Sequence, residues 1–531
     1  MAGISQPLRN DENPLPSTSM PAPGLDIQKT GPWILLATIL GSSLVFIDSS
    51  VVNVALPRIQ TDLNATAANV QWVVEAYALF LAALILVGGS LGDRYGRKRI
   101  FIFGTILFAL ASMWCGLASD ISQLIAARAI QGVGGALLTP GSLAIIRALF
   151  PAARRGPAIG LWSGFSAITS ALGPLLGGWL VQNASWRWVF FINLPLAIIV
   201  LIVMFWHVPE NRSEEMNVSL DWSGALLATV SLGAIIYGLI ESNSLGLGHP
   251  LVLASEAIGV LALVAFILVE VRSPAPMMPL TLFRSRTFSG TNLLTLFLYA
   301  GLNGAIYFLP FNLILVQGYT PTEAGAAFVP FTLLLFSLSR WSGGLVARYG
   351  AKWPLVIGPT VAGLGFILFS LPNIGGSYWT TFFPAIVALG TGMAITIAPL
   401  TTAVLGAVDD RYAGIASGIN NAVARVAGLL AIAVLNIFVL VAFNWNLDGQ
   451  LNALHVSSTI RHLLDAQRAK LAGAQVPSSI HGALSTSLHQ AIAESFIGGF
   501  RMAMFIGAGL AFAGALCAFF LVEGKAQGKT K

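Results

Sequence analysis

The sequence predicts an all-α polytopic membrane protein with fourteen transmembrane helices, and three observations carry that expectation. Lys and Arg number 28 and Asp and Glu 22 in 531 residues, so charged residues make up 9% of the chain, where a soluble globular protein carries about 25%. Hydrophobic residues make up 56% and the mean hydropathy is +0.79. A water-soluble chain of this length could not cover its surface with so few charges, and a disordered one needs low hydrophobicity. The other two observations are the spacing of the apolar runs and an internal repeat.

A membrane-crossing helix needs about 20 mostly apolar residues. Fourteen runs qualify: 33–56, 70–91, 100–118, 121–146, 157–181, 188–208, 222–241, 250–270, 289–316, 322–346, 353–371, 379–405, 413–443 and 496–522. The first 32 residues form a polar, Pro-rich tail without the basic start and short apolar stretch of a signal peptide. Between the spans the connections are short, apart from 271–288 and 444–495. Twenty Lys and Arg fall on the side shared by both termini and five on the other, so the positive-inside rule puts both termini in the cytoplasm. The net charge of +6 therefore reads as topology rather than nucleic-acid binding. Cys115 and Cys517 both lie in apolar stretches, which leaves no disulfide framework and no metal site.

The repeat supplies the architecture. Residues 89–98 read GSLGDRYGRK and residues 343–352 read GGLVARYGAK, each after the second span of its half. The expected layout is a cytoplasmic tail 1–32, a six-helix bundle 33–208, a two-helix insert and linker 209–288, a second six-helix bundle 289–522 containing the extracytoplasmic loop 444–495, and a cytoplasmic tail 523–531. Repeated halves in a polytopic protein point to alternating access around a midplane site.

Four segments carry a family resemblance. GSLGDRYGRKR at 89–99 resembles the cytoplasmic signature of the major facilitator superfamily, and LIAARAIQGVGGA at 124–136 is similar to its helix-4 motif. GPLLGG at 173–178 resembles the helix-5 motif of drug:proton antiporters, while SWRWVFFINLP at 185–195 and DWSGA at 221–225 are similar to the fourteen-helix EmrB/QacA branch. The resemblance covers nearly the whole chain apart from the first 32 residues and most of 444–495. It implies the major facilitator fold, two six-helix bundles plus two inserted helices, and proton-coupled export of drugs, dyes, lipids or metabolites.

Within that frame the residues sort into groups. Gly89, Asp93, Arg94, Gly96, Arg97 and Lys98 make the loop that the resemblance reads as a cytoplasmic latch. Read without it, the same charges are a topology signal. The second copy has Ala347 where Asp93 stands. Helix 5 carries Gly160, Gly164, Gly173, Pro174, Gly177 and Gly178, which suit close packing and bending in lipid. Thr169 replaces the middle glycine of the antiporter pattern.

Ionisable side chains inside spans are costly and usually face a cavity or a partner. Asp48, Glu75 and Arg128 sit on three different helices, each roughly 8–12 Å below the extracytoplasmic surface at about 1.5 Å per residue. Burial and a neighbouring acid favour a protonated carboxyl group, and a nearby arginine favours the ionised form. The three together have the chemistry of a proton site, or, in the plainer reading, Asp48 and Arg128 form a static ion pair. The resemblance implies proton coupling for Asp48 and Arg128, and Glu75 could instead meet a cationic substrate or act as a second proton carrier. Asn53, Tyr77, Tyr299, Asn303, Tyr307 and Arg425 are candidates for the cavity lining. Glu256 lies in the insert, away from the transport path. Trp186, Arg187 and Trp188 read as a membrane-boundary belt.

In 444–495, Ile460, Leu463, Leu464 and Leu471 form one apolar helical stripe, and Leu484, Leu488, Ile492 and Phe496 form another. Two amphipathic helices there could lie on the membrane, cover the cavity or dock a periplasmic adaptor. The six His all lie outside the span interiors and the sequence holds no GxxxxGK[ST] loop. The expectation is a proton-driven exporter of amphipathic or cationic organic compounds, no enzyme and without a cofactor. Its partners are the transported small molecule, protons and membrane lipids, with no nucleic acid. The alternative is a dedicated lipid or metabolite exporter of the same fold.

Overall fold

The computed structural model describes residues 27–210, 222–273, 276, 278–409, 412–477 and 480–524. The tail before 27, most of the first linker with Asp221, and the tail from 525 lie outside the described residues. Everything described is helical or loop.

The first bundle is built from α1 (Ile27–Asp62), α2 (Ala67–Tyr95), α3 (Arg97–Leu117), α4 (Ile121–Leu149), α5 (Ala152–Asn183), the single turn α6 (Trp188–Phe191) and α7 (Asn193–His207). The insert is α8 (Trp222–Leu245) and α9 (Pro250–Arg272). The second bundle has α10 (Arg286–Phe311), the short α11 (Pro321–Ala326), α12 (Val329–Tyr349), α13 (Lys352–Phe369), α14 (Tyr378–Gly406), α15 (Ala413–Ala453), the short α16 (Ser458–Asp465) and α17 (Ala483–Leu521). Thirteen spans in the described residues are long and apolar enough to cross a membrane, and the 32-residue α5 fills the remaining place in the order. With fourteen crossings, α1 begins and α17 ends on one face, called here the terminal face. The opposite face is the distal face.

Local chemistry sets the helix starts. Thr66 and Asn69 form a reciprocal capping box on α2, and Thr320 and Glu323 form another on α11 behind Pro321; each satisfies backbone N–H groups that the first turn leaves open. Asp120 caps α4 and Ser285 caps α10. The repeated loops are built alike. Gly96 at φ 106° and Gly350 at φ 72° make the reversals in a region that side chains avoid. Arg94 lies over the Tyr95 ring and Arg348 over Tyr349, at 5.5 and 5.3 Å.

The helices α1, α2, α3, α4, α5 and α7 pack on one another, and so do α10, α12, α13, α14, α15 and α17. The insert stands outside both groups, yet α8 is wedged against α2 and α15. There Ile236 and Ile240 bury against Leu79 of α2 and Leu429 and Ala433 of α15. Helix α9 shows the opposite pattern, with Leu251, Ile258, Leu261 and Val271 all more than half exposed, as a lipid-facing helix should be.

The distal face departs from expectation in two places. The second stripe, 483–495, is not a separate surface helix but the start of α17, and 444–453 prolongs α15, so the excursion reduces to α16 and a 3-10 turn, Arg468–Gly473, which carry the first stripe. Both reach inward, α16 burying Leu464 and the turn burying Leu471 in the same apolar cluster as the spans. Trp186 is no boundary anchor either. It is fully buried and meets Phe190 edge-on, while Trp188 is 52% exposed.

Candidate functional site

Two buried acids lie near each other in the first bundle, in opposite circumstances. Asp48 on α1 is fully buried and saturated. Its carboxylate accepts from Arg128 Nη1 at 2.5 Å, Gln131 Nε2 at 2.9 Å and Asn193 Nδ2 at 3.2 Å. Arg128 is fixed in turn, its Nε donating to the Val73 carbonyl at 2.9 Å and its Nη1 to Gln131 Oε1 at 2.8 Å. Ser112 on α3 accepts from both Gln131 and Asn193 and donates to the Phe190 carbonyl. Helices α1, α3, α4 and α7 are thereby tied through one polar network in the apolar interior. Such a network is stable only when its members are satisfied, and here Asn193 Oδ1 alone among their buried side-chain polar atoms has no partner among the described residues.

Glu75 on α2 is also fully buried, and neither carboxylate oxygen has a hydrogen-bond partner among the described residues. It pairs with neither Asp48 nor Arg128. It faces a central cavity of about 310 Å³, at the lower end of ordinary small-molecule sites. All six candidate lining residues are on its wall: Asn53, Tyr77, Tyr299, Asn303, Tyr307 and Arg425. Arg128 reaches the same wall, with its guanidinium 4.1 Å from the centre of the Tyr77 ring. Tyr77 thus stands between the Asp48–Arg128 network and the open cavity, and its hydroxyl has no partner among the described residues. Arg425 on α15 makes no ion pair or hydrogen bond among the described residues. The cavity therefore offers one acid, two arginines, of which Arg128 is already paired with Asp48, and three tyrosine rings contributed by α2 and α10. Aromatic faces attract cations and apolar bodies.

The cavity is closed distally. Gly178 of α5 faces the Pro321 backbone of α11, and Gly325 faces the Pro174 backbone, so close that an added Cβ at either would collide. Thr322 N donates to Gln182 across the same seam at 3.3 Å. Gly173 and Gly177 pack against Ser50 and Val51 of α1. The surroundings of Gly160 and Gly164 lie outside the described residues. Above the cavity, the 3-10 turn bridges the bundles: Gln60 Nε2 donates to the Lys470 carbonyl at 3.1 Å and Lys470 Nζ to Asn64 at 2.5 Å. On the other side, Arg461 and Arg468 both pair with Asp448 of α15.

At the terminal face, Gly89 faces Pro140 of α4, Arg97 donates to the Ala144 carbonyl at 3.4 Å, Lys98 to the Phe205 carbonyl at 3.5 Å, and Arg99 pairs with Glu210 at 3.4 Å. The loop between α2 and α3 thereby joins α4 and α7 of its own bundle. The side chains of Asp93 and Ala347 lie outside the described residues.

Sequence reasoning missed Gln131, Asn193 and Ser112. Gln131 carries a signal, since it follows Arg128 by three residues and shares its helix face. Asn193 is the one polar side chain in FINLP. Ser112 carries none.

The Major Facilitator Superfamily profile matches residues 38–432. The chain belongs to the major facilitator superfamily. It is 32% identical over 510 residues to the tetracenomycin C resistance and export protein of Streptomyces glaucescens, covering 94% of this chain and 93% of that one. It is 36% identical over 409 residues to the puromycin resistance protein pur8 of Streptomyces alboniger, covering 76% and 81%. It is 34% identical over 431 residues to the multidrug resistance protein Stp of Mycobacterium tuberculosis, covering 81% and 80%. Among solved structures, a bacterial homologue of the human lysosomal transporter Spinster shares the fold at TM-score 0.64 and 18% identity, over 92% of this chain and 97% of that one. The xylose transporter XylE of E. coli does so at 0.56 and 15%, over 93% and 97%. The protein is a multi-pass membrane transporter, not an enzyme, with resistance exporters as its relatives.

Proposed function

We propose that the protein is a proton-coupled antiporter exporting amphipathic or cationic organic compounds across a bacterial cytoplasmic membrane, with both termini in the cytoplasm and the distal face outside. The observation that carries this reading is Glu75, a buried carboxylate without a partner on the wall of a tyrosine-lined cavity. A buried acid left unsatisfied costs free energy, and two events relieve it: protonation, or arrival of a cation. One site that accepts either, and not both together, exchanges protons for substrate.

In the cycle we infer, substrate enters from the cytoplasmic side and displaces the proton from Glu75. The bundles rock until the seam at Gly178 and Gly325 parts. Outside, a proton replaces the substrate on Glu75, and the return step carries it inward. Asp48 and Arg128 serve coupling differently. Three donors stabilise the Asp48 carboxylate beside Arg128, and Arg128 orients Tyr77 at the cavity wall. The ten-residue segment from Gly89 to Lys98 acts as the latch that steadies one arrangement, and the helix-5 glycines let α5 slide against α1 and α11.

A second reading, a dedicated exporter of one lipid or metabolite, draws on relatives named for a single compound, such as tetracenomycin C. Binding separates the two. Purified protein in weakly buffered detergent is titrated with tetraphenylphosphonium, a bulky lipophilic cation, and a panel of amphipathic anions, lipids and metabolites. The antiporter reading expects cations of differing shape to release protons, and Glu75→Gln to stop the release. Release by a single compound of the panel supports the dedicated exporter.

A further inference from the structure

One turn before Glu75 on α2 lies Gln71, fully buried. Its Oε1 accepts from Asn436 Nδ2 of α15 at 2.9 Å, a buried hydrogen bond between the two bundles. The same contact leaves Gln71 Nε2 and Asn436 Oδ1 without partners. Residues four apart on a helix share a face, and the Gln71 amide stands near the Glu75 carboxyl group without completing a hydrogen bond to it. Four buried polar atoms of Gln71, Asn436 and Glu75 thus lie along this seam without a partner among the described residues.

We infer that Gln71 is the positioning residue that ties the proton on Glu75 to the rocking of the bundles, an inference that rests on Glu75 being the proton carrier. An amide offers two donors on one side and an acceptor on the other. With its carbonyl held by Asn436, Gln71 can turn only its NH2 toward Glu75. That donor stabilises a carboxylate more than a carboxylic acid, whose carbonyl oxygen accepts only a weaker, neutral hydrogen bond. The distally closed arrangement therefore favours release of the Glu75 proton to water in the cavity, which then opens inward. When the seam parts, Asn436 moves away with α15. Gln71 is then free to turn its carbonyl to a protonated Glu75, which favours loading from outside. The direction is the one an exporter requires.

Other charged and titratable groups near Glu75 are carried by each neighbouring helix. Arg128 stands on α4, Arg425 on α15, and Tyr299 and Tyr307 on α10. Asp48 of α1 and Cys115 of α3 are committed to the Asp48–Arg128 network. Glu241 of α8 accepts from Trp72 at 3.4 Å, and Lys470 of the distal turn is bonded to Asn64. Tyr77 is the remaining titratable neighbour on α2 itself. None of these is hydrogen-bonded to Gln71 or Asn436 among the described residues.

The test needs no transported ligand. Infrared difference spectra of the purified protein, stepped in pH, report the carboxylic-acid C=O stretch, and subtracting the Glu75→Gln spectrum assigns the Glu75 band. Gln71→Met and Asn436→Leu each remove the held donor by a different route. Each should move the midpoint of the Glu75 band upward by about one pH unit, the effect of losing one hydrogen bond to a charged group. The double variant should move it no further than Gln71→Met does. Two positions keep the test decisive if one variant fails to fold, as judged by size-exclusion elution. An unmoved Glu75 midpoint in a folded variant overturns the role of Gln71. A pH-dependent band that survives unchanged in Glu75→Gln instead overturns Glu75 as the proton carrier.

Discussion

Replacing Asp48 by Asn should destabilise the protein far more than replacing Glu75 by Gln, although both changes neutralise a fully buried acid. Three donors converge on Asp48: Arg128 at one oxygen, Gln131 and Asn193 at the other. An asparagine offers a single acceptor oxygen. Turned to keep Gln131 and Asn193, it points its NH2 at Arg128 Nη1, donor against donor. Arg128, with 2% of its side chain exposed, would then be a buried cation without its anion. Breaking a buried pair from one side costs about 3–5 kcal/mol. Glu75 has no partner to lose, so Glu75→Gln should lie within about 1 kcal/mol of the parent. Denaturant- or heat-induced unfolding in one detergent, followed by tryptophan fluorescence, reads both. Adding Arg128→Met to Asp48→Asn should recover part of the loss, because the orphaned cation is gone. Equal stability for the two neutral variants, or a double variant worse than Asp48→Asn, would refute the assignment of a structural pair and an exchangeable acid.

Further expectations follow from the cavity and its closure. Tyr307→Ala should weaken tetraphenylphosphonium binding about 5- to 30-fold, the range expected when a desolvated cation–π interaction is removed, as read by equilibrium dialysis. Arg425→Ala should strengthen binding of the same cation, by removing a like charge from the wall. A Cβ at position 178 would collide with the Pro321 carbonyl oxygen, so Gly178→Ala should hinder distal closure and raise labelling of a cysteine placed at Asn53 by impermeant reagents from the distal side. Lys470→Ala should raise labelling of a cysteine placed at Asn53 by impermeant reagents from the distal side, since the turn loses its hold on Asn64.

Much of this was legible in the sequence because a bilayer restricts the choices so severely. Apolar runs long enough to cross could only be helices, and a repeat at matching places in the span order could only mean two related halves. Asp48 and Arg128 stood out because charge inside a span needs a reason. What one sequence withheld was partnership. Depth counting put Glu75 level with the pair, but rotation about α2 sends it to the cavity instead. The neutral residues that complete the network, Gln131, Asn193 and Ser112, are polar without being costly; Gln131 shares a helix face with Arg128, but the spacing of the other two does not set them apart from ordinary packing. The distal excursion was misjudged for a related reason. The stripe Leu484, Leu488, Ile492 reads as amphipathic whether the helix lies on the membrane or continues out of it. Only packing of Leu488 and Ile492 within the cluster shows the second. Trp186 looked like an anchor because aromatic belts sit at span ends, yet it turns inward.

The central claim is that Glu75 exchanges protons for substrate while Asp48 holds structure. The most direct measurement is uptake of tetraphenylphosphonium into inside-out-oriented proteoliposomes, driven by an imposed pH gradient, with the parent and Glu75→Gln compared at equal folded protein. The account predicts that Glu75→Gln loses the gradient-driven component and retains downhill movement of the cation. Gradient-driven accumulation at the parental level in Glu75→Gln would contradict it.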